Sequence, residues 1–428
     1  MDLAWLVLAV VSILLLLAVP VAFSLALTAI TAILWVGDIN LMIVPQQLFG
    51  AVDSLLLLSI PFFLLAGDLM TAGGLTTRLL RLTNAVLGRF RGGLAMSNVA
   101  SAVFMSGISG SAVADTSALG RVLIPAMIKE GYSPGFAAAL TASANIVGPI
   151  IPPSIAFVII GVMTNLSISK LFLAGVLPGL LYGLTMLLMA WGISVKRGYP
   201  VHGRAPPGEI RAAALGAFWA LMMPLMIIIG IRTGVFNVTE CSAISVLYAL
   251  TVGGAIYREL TWKKLHEALL RSARTSAVIL IVIAGAQAVS WLLAYQSIPQ
   301  SIADAMLAAT RSPWVFLLIV NVFLLFIGTF MENGPAMVML VPVLFPIAAK
   351  LGIDPYHFAM IVSINLILGL ITPPVAICLS LGSLIAGCRP SEATREVWPF
   401  LFAAIGVLML ITFIPALSLW LPAVVGGR

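Results

Sequence analysis

Charge is scarce in this chain: Asp, Glu, Lys and Arg together supply 9% of its 428 residues, against 61% hydrophobic. A soluble fold carries roughly a quarter of its residues as charges to cover its surface, so a water-soluble enzyme or binding domain is excluded. Cysteine is sparse too. Cys241, Cys378 and Cys388 lie in or beside apolar segments without metal-ligand spacing, which implies neither a disulfide framework nor a zinc site. No basic residue precedes Arg78, so the basic start of a secretory signal is missing and the first apolar run is expected to stay as a membrane segment. No Gly-Lys-Ser/Thr phosphate loop occurs, which argues against ATP hydrolysis by the chain itself.

Long apolar runs fill the rest, giving a mean hydropathy of +1.16. A bilayer core of about 30 Å takes ~20 residues per helix, leaving room for roughly ten or more spans. Each span must satisfy its own backbone hydrogen bonds, and runs this continuous are not barrel strands. An all-α polytopic membrane protein is therefore predicted. The formal charge of +7 does not point to nucleic acid, because the basic residues are expected in short loops between apolar runs, the positive-inside signature. Their partner is the lipid bilayer.

Three basic clusters stand out: Arg78, Arg81, Arg89 and Arg91; then Lys196, Arg197, Arg204 and Arg211; then Arg258, Lys263, Lys264, Arg271 and Arg274. All are assigned to the cytoplasmic side, so an even number of crossings separates each pair. Spans at 212–231 and 241–257 satisfy the second interval. In the first, 92–195 holds three apolar segments, and parity is restored if 92–126 is a re-entrant hairpin. Its centre, from Ser106 to Ser117, is Gly-rich and polar, and such backbone is tolerated at membrane depth only inside protein or along a cavity.

Sliding the chain against itself by 221 residues aligns nine Gly or Pro identities: Gly107/Gly328, Pro125/Pro346, Gly131/Gly352, Pro134/Pro355, Gly148/Gly369, Pro152/Pro373, Pro153/Pro374, Gly161/Gly382 and Pro178/Pro399. Two repeats share one backbone design. The second hairpin, 313–348, opens to the opposite side on the same count, so the repeats are inverted. The chain divides into N-terminal scaffold helices (1–52), a first repeat (53–195; hairpin 92–126, broken helix 135–165), a cytoplasmic and inter-repeat section (196–274) and a second repeat (275–428; hairpin 313–348, broken helix 356–386).

The chemistry is expected where Gly-x-x-x-Pro-Pro interrupts an apolar run, at Gly148–Pro153 and Gly369–Pro374. A double proline breaks a helix, leaving carbonyls to hold a small cation and half-helix N-termini to hold an anion. Each break is expected to meet its own hairpin tip. Two sodium sites are predicted, one from Ser106, Ser109, Ser111, Asn145 and Gly148, the other from Thr329, Glu332, Asn333, Gly334, Gly369 and Thr372. Substrate is expected between the tips, against Asp115, Thr116, Ser154 and Asn365. Oxygen donors suit a hard cation, and nothing suits a transition metal or another cofactor. Alternative readings make the Pro-Pro breaks simple kinks and pair Asp115 with Arg121. Gly107-Ile108-Ser109-Gly110 matches an intramembrane serine protease motif, but a serine nucleophile needs a base, and His202, His266 and His357 are all expected elsewhere. The chain is not expected to be an enzyme.

The run Gly107–Gly120, with Ile124-Pro125, Gly131–Pro134, Gly148–Ser154 and Thr372-Pro373-Pro374, resembles the large membrane subunit of tripartite ATP-independent periplasmic (TRAP) transporters along nearly the whole chain. The resemblance implies a multi-pass subunit of the bacterial inner membrane. It implies sodium-driven uptake of a small carboxylate by an elevator movement of a transport domain against a scaffold. It also implies two partners, a separate small four-helix membrane subunit and a periplasmic substrate-binding protein. The rival functions are a stand-alone divalent-anion/sodium symporter and a passive channel or scaffold subunit. If the broken helices hold cations, replacing Asn145 or Thr372 weakens the sodium dependence of uptake. An unchanged sodium response in both variants would count against these sites.

Overall fold

A computed structural model describes residues 2–201, 203, 205–298, 300, 301, 304 and 312–425, and these form nineteen α-helices with no strand among them. The N-terminal section holds α1 (Asp2–Leu16), α2 (Val21–Val36) and α3 (Ile43–Val52), followed by α4 (Ser59–Ala72) and α5 (Leu75–Leu87). The first hairpin is α6 (Gly93–Ser109) and α7 (Ala112–Lys129), the first broken helix is α8 (Pro134–Asn145) and α9 (Ile155–Thr164), and α10 (Ile168–Arg197) completes the unit. Helices α11 (Glu209–Arg232), α12 (Val238–Leu250) and α13 (Trp262–Tyr295) lead to the second unit. There α14 (Pro313–Gly328) and α15 (Asn333–Lys350) form the hairpin, α16 (Pro355–Leu368) and α17 (Ile377–Ala386) the broken helix, and α18 (Pro390–Phe413) and α19 (Ala416–Val425) the end.

The element order hairpin, broken helix, long helix therefore occurs twice. The starts agree with the 221-residue shift within one residue, as at 112 and 333 or 134 and 355. Local sequence explains these starts. Ser111, Ser154 and Ser167 cap their helices by accepting an amide proton, and Pro134, Pro313, Pro355 and Pro390 occupy first-turn positions that need no donor. Among the described residues, seven helices are long and apolar enough to cross a membrane. One of them, α15, is a hairpin arm, so length alone does not separate an arm from a span.

The core lies around the broken helices. Every residue from 135 to 145 and from 357 to 368 is buried. Large apolar side chains such as Leu184, Leu188 and Trp191 are exposed on α10, as suits lipid contact. The repeats interlock: α7 and α8 pack against α17, and α8 also against α18. At the end of α10, Arg197 Nη1 and Nη2 donate to Glu396 Oε1 and Oε2 at 3.0 and 2.7 Å, clamping the first repeat to α18.

The expectation that the basic residues sit in loops holds for Arg89, Arg91 and Arg258, which lie between helices, and is corrected for others. Arg78 and Arg81 lie on α5, Lys196 and Arg197 end α10, Arg211 opens α11, and Lys263, Lys264, His266, Arg271 and Arg274 lie on the first turns of α13. Several of these cations find acceptors on neighbouring elements. Arg78 pairs with Glu259 at 2.6 Å, Arg81 with Glu209 at 2.8 Å, and Arg271 approaches Asp68 at 3.6 Å. His202 and Arg204 lie outside the described residues, as do 426–428 of the second repeat.

Glycine decides one contact outright. A methyl placed on Gly369 would overlap the backbone of Gly328, so the end of α14 and the second break touch main chain to main chain. Gly369→Ala should cost about 1–3 kcal/mol through overpacking and lower the thermal midpoint in detergent. Gly192→Ala, with nothing within 4 Å of the new carbon, should leave the midpoint unchanged. Equal midpoints for the two variants would contradict the packing described.

Candidate functional site

Between α8 and α9, residues 146–154 form turns rather than helix. Their centre is Gly148. A methyl placed there would lie 3.0 Å from Asp115 Oδ2, 3.1 Å from the Asn145 carbonyl oxygen and 3.3 Å from the Ala112 amide nitrogen. The first break and the start of α7 therefore converge on one point. Gly110, at the hairpin turn, fits against the Pro153 carbonyl, where a side chain would clash. The small-residue pair Gly175 and Gly179 on α10 seats the same break, since a methyl on either would overlap Ile150 or Ile151. The Gly-x-x-x-Gly spacing thus serves close packing.

Asp115 is buried, with 1% exposure. Ser109 is its polar neighbour, yet neither carboxylate oxygen closes a hydrogen bond, to Arg121 or to any other described residue. Asn145 is in the same condition: its Nδ2 donates to the Thr141 carbonyl at 2.8 Å, while its Oδ1 is buried without a partner. An isolated buried carboxylate is costly at membrane depth. A hard cation among these oxygens would remove that cost. The other first-half residues are committed locally. Ser106 Oγ donates to Val103 O, Ser109 Oγ accepts from Ser111 N at 3.2 Å, and Ser111 Oγ accepts from Ala114 N at 3.4 Å.

The second break is shorter. A single 3₁₀ turn, Gly369–Ile371, follows α16, and only 372–376 is irregular. Thr372 Oγ1 donates to Leu368 O at 2.8 Å, satisfying a carbonyl at the helix end. A small cavity of about 10 Å³, about the size of a single water or ion, lies between Gly328, Thr329 and Met331 of the tip and Gly369, Val375 and Ala376 of the break. Thr329 Oγ1 donates to Phe326 O at 2.7 Å, and Asn333 Oδ1 accepts from Gly334 N at 2.9 Å. Asn365 mirrors Asn145 despite the one-residue offset in the repeat. Its Nδ2 donates to Ile361 O at 2.7 Å and to Asn321 Oδ1 at 2.6 Å, and its Oδ1 is buried without a partner.

A cavity of about 330 Å³ separates the tips. Gly110, Ser111 and Val113 line it from the first hairpin, Glu332, Asn333 and Gly334 from the second, and Arg274 from α13. None of the four residues expected to hold substrate is on this wall. Asp115 points to the first break instead, Thr116 Oγ1 donates to Ala112 O at 2.7 Å, and Ser154 Oγ is used between Pro149 O and Phe157 N. Asn365 faces Asn321, inside the second repeat. Sequence reading treated Arg274 only as a marker of sidedness. Its place as the last charge before the apolar stretch of α13 was the available signal. Asn321, whose Nδ2 donates to Thr412 Oγ1 at 3.1 Å, was missed because a lone polar residue on an apolar helix has no pattern. Among the described residues no histidine is bonded to Ser109: His357 contacts Thr412 O at 3.2 Å and Ser418 Oγ at 3.5 Å. Among the described residues no group of three or more His, Cys, Asp and Glu comes together.

This arrangement of paired re-entrant hairpins and paired broken helices defines a polytopic membrane transport protein. The sequence matches the family described as "Tripartite ATP-independent periplasmic transporter, DctM component" over residues 8–417, and the chain belongs to that family. It is 38% identical over 398 residues to the 2,3-diketo-L-gulonate TRAP transporter large permease protein YiaN of Escherichia coli, covering 93% of this chain and 94% of YiaN. It is 38% identical over 403 residues to the sialic acid TRAP transporter large permease protein SiaM of Vibrio cholerae, covering 94% of each chain. Against the C4-dicarboxylate TRAP transporter large permease protein DctM of Rhodobacter capsulatus it is 35% identical over 427 residues, covering 96% and 97%. Among solved structures, the Alcanivorax borkumensis YdaH transporter shares the fold with a TM-score of 0.61 at 15% identity, covering 88% of each chain.

If the oxygens around Gly148 hold a cation, Asp115→Asn should raise the sodium concentration for half-maximal uptake by about tenfold, the equivalent of about 1.4 kcal/mol. Thr164→Ala, remote from both breaks, should leave it unchanged. Sodium titration of uptake in vesicles measures both, and equal curves would remove Asp115 from the ion site.

Proposed function

We propose that this large permease imports an organic acid, driven by sodium, with the carboxylate cargo held between the two hairpin tips. The supporting observation is the convergence of both tips on one cavity of about 330 Å³, with an oxygen-rich break behind each tip. The relatives' names include a diketogulonate, a sialic acid and C4-dicarboxylates, all organic acids. Cation sites at Gly148 with Asp115 and Asn145, and at Gly369 with Thr329 and Ala376, would form only when hairpin and break are closed on each other, so ion binding would favour the closed, cargo-loaded form. Helices α2, α3 and α4 pack on α13 and would act as the scaffold. The interlocked hairpins and broken helices would move past it as one body, in elevator fashion. A small four-helix membrane subunit and a periplasmic binding protein complete the system, and no bound cofactor is needed.

In proteoliposomes holding this chain with its small subunit, a labelled carboxylate cargo should accumulate only when an inward sodium gradient and the binding protein are both present. Accumulation without the binding protein would favour the stand-alone symporter. Equilibration without accumulation, even with all partners present, would favour a passive channel.

A further inference from the structure

Two charges face the cavity between the tips, Glu332 from the second tip and Arg274 from α13. Four other arginines of the basic clusters are engaged in ion pairs: Arg78 with Glu259, Arg81 with Glu209, Arg197 with Glu396 and Arg271 with Asp68. Arg271, one turn before Arg274, thus turns toward α4. Arg274 forms no ion pair or hydrogen bond among the described residues, and its side chain is exposed. The remaining wall of the cavity is largely apolar, with Leu64, Ile159, Val278, Val282 and Val338 among its residues. Apolar neighbours offer this guanidinium no acceptor, so its planar donor fork is left open, and that fork matches a carboxylate.

We propose that Arg274 receives the carboxylate of the cargo, as a specificity-determining residue placed on the scaffold helix rather than on either hairpin. This rests on the reading above that an organic acid occupies the cavity. Because Arg274 stays with α13 while the tips travel, its contact with cargo exists in this position of the tips and is lost when they move away. A ligand shifts a two-state equilibrium by its difference in affinity for the two states, so Arg274 biases cargo-loaded tips toward this position. Glu332 opposes it from across the cavity. A cation bound at the second tip would offset Glu332 and leave Arg274 as the uncompensated charge, tying anion attraction to ion loading.

The test uses the full chain, reconstituted with Cys388→Ser and with Val113→Cys as a reporter on the cavity wall. Labelling rates are compared for 2-carboxyethyl methanethiosulfonate, an anion, and trimethylammonioethyl methanethiosulfonate, a cation. Arg274→Gln should lower the anion-over-cation rate ratio at least about fivefold, since a focused charge changes local ion concentration by that order or more. Arg274→Lys should keep most of the preference, and Glu332→Gln should raise it. The Lys variant separates charge from a packing role, and the Glu332 variant gives an independent reading if Arg274→Gln folds poorly. A ratio unmoved by Arg274→Gln, or by Glu332→Gln where the Arg variant does not fold, overturns the inference while leaving the transport reading intact. If the reporter thiol of the Val113→Cys protein resists both reagents in the folded state yet labels after denaturation, the cavity is closed to solutes, and both readings fail together.

Discussion

The unpaired peptide group in a medium without water governs this structure. Within hydrocarbon, each main-chain amide and carbonyl must find a partner in the protein, and regular helix meets that demand everywhere except at a few chosen places. Here the exceptions are the two breaks and the two hairpin turns. The first break is buried together with α8 from Gly135 to Ser154, whereas the second is enclosed on its α16 side and opens at Pro374 and Val375, as its hairpin turn does at Phe330 and Glu332. The rest of the architecture reads as the enclosure these irregular segments require, with the long helices and interlocked repeats keeping lipid away from exposed carbonyls.

The price of that enclosure appears in the polar side chains that remain unsatisfied. Asp115, Asn145 and Asn365 each carry buried oxygens without a donor, in a fold that otherwise caps its helices with Ser, Asn, Thr and Asp side chains. Such groups are rare in settled cores. Other buried oxygens without a donor occur away from the breaks, at Ser97, Asn98 and Ser276 among others. What distinguishes Asp115, Asn145 and Asn365 is the matching posture of the two asparagines in different repeats and the carboxylate beside one of them. The two halves are not identical, however. The second break retains a 3₁₀ turn and keeps one carbonyl occupied through Thr372, so it leaves less irregular backbone than the first.

Much of this was legible in the sequence because it is written in residues with special geometry. Glycine and proline positions carried the repeat, the hairpins and both breaks, since those residues limit the backbone wherever they occur. What was not legible depends on direction and distance. Asp115 sits where a substrate ligand was expected by order along the chain, but its rotation on α7 turns it to Gly148 and away from the cavity. Ser154 looked available and is consumed as a helix cap. Arg274 and Asn321 matter only because distant segments pack beside them, and nothing in their immediate neighbours announces that. The basic clusters misled in a smaller way: several of their residues extend helices and pair with acceptors on neighbouring elements, where loops were expected.

The interlock of the repeats bears on how the chain is made. Gly382 of α17 fits against the Ala138 carbonyl, and Gly135 against Glu392 of α18, so helices of the first half have their faces covered by segments synthesised much later. At about 5–20 residues per second, the ribosome would take roughly 10–50 s to supply that cover. During that interval α7 and α8, with polar turns and gaps meant for later neighbours, would have to be sheltered by the insertion machinery rather than by their own chain.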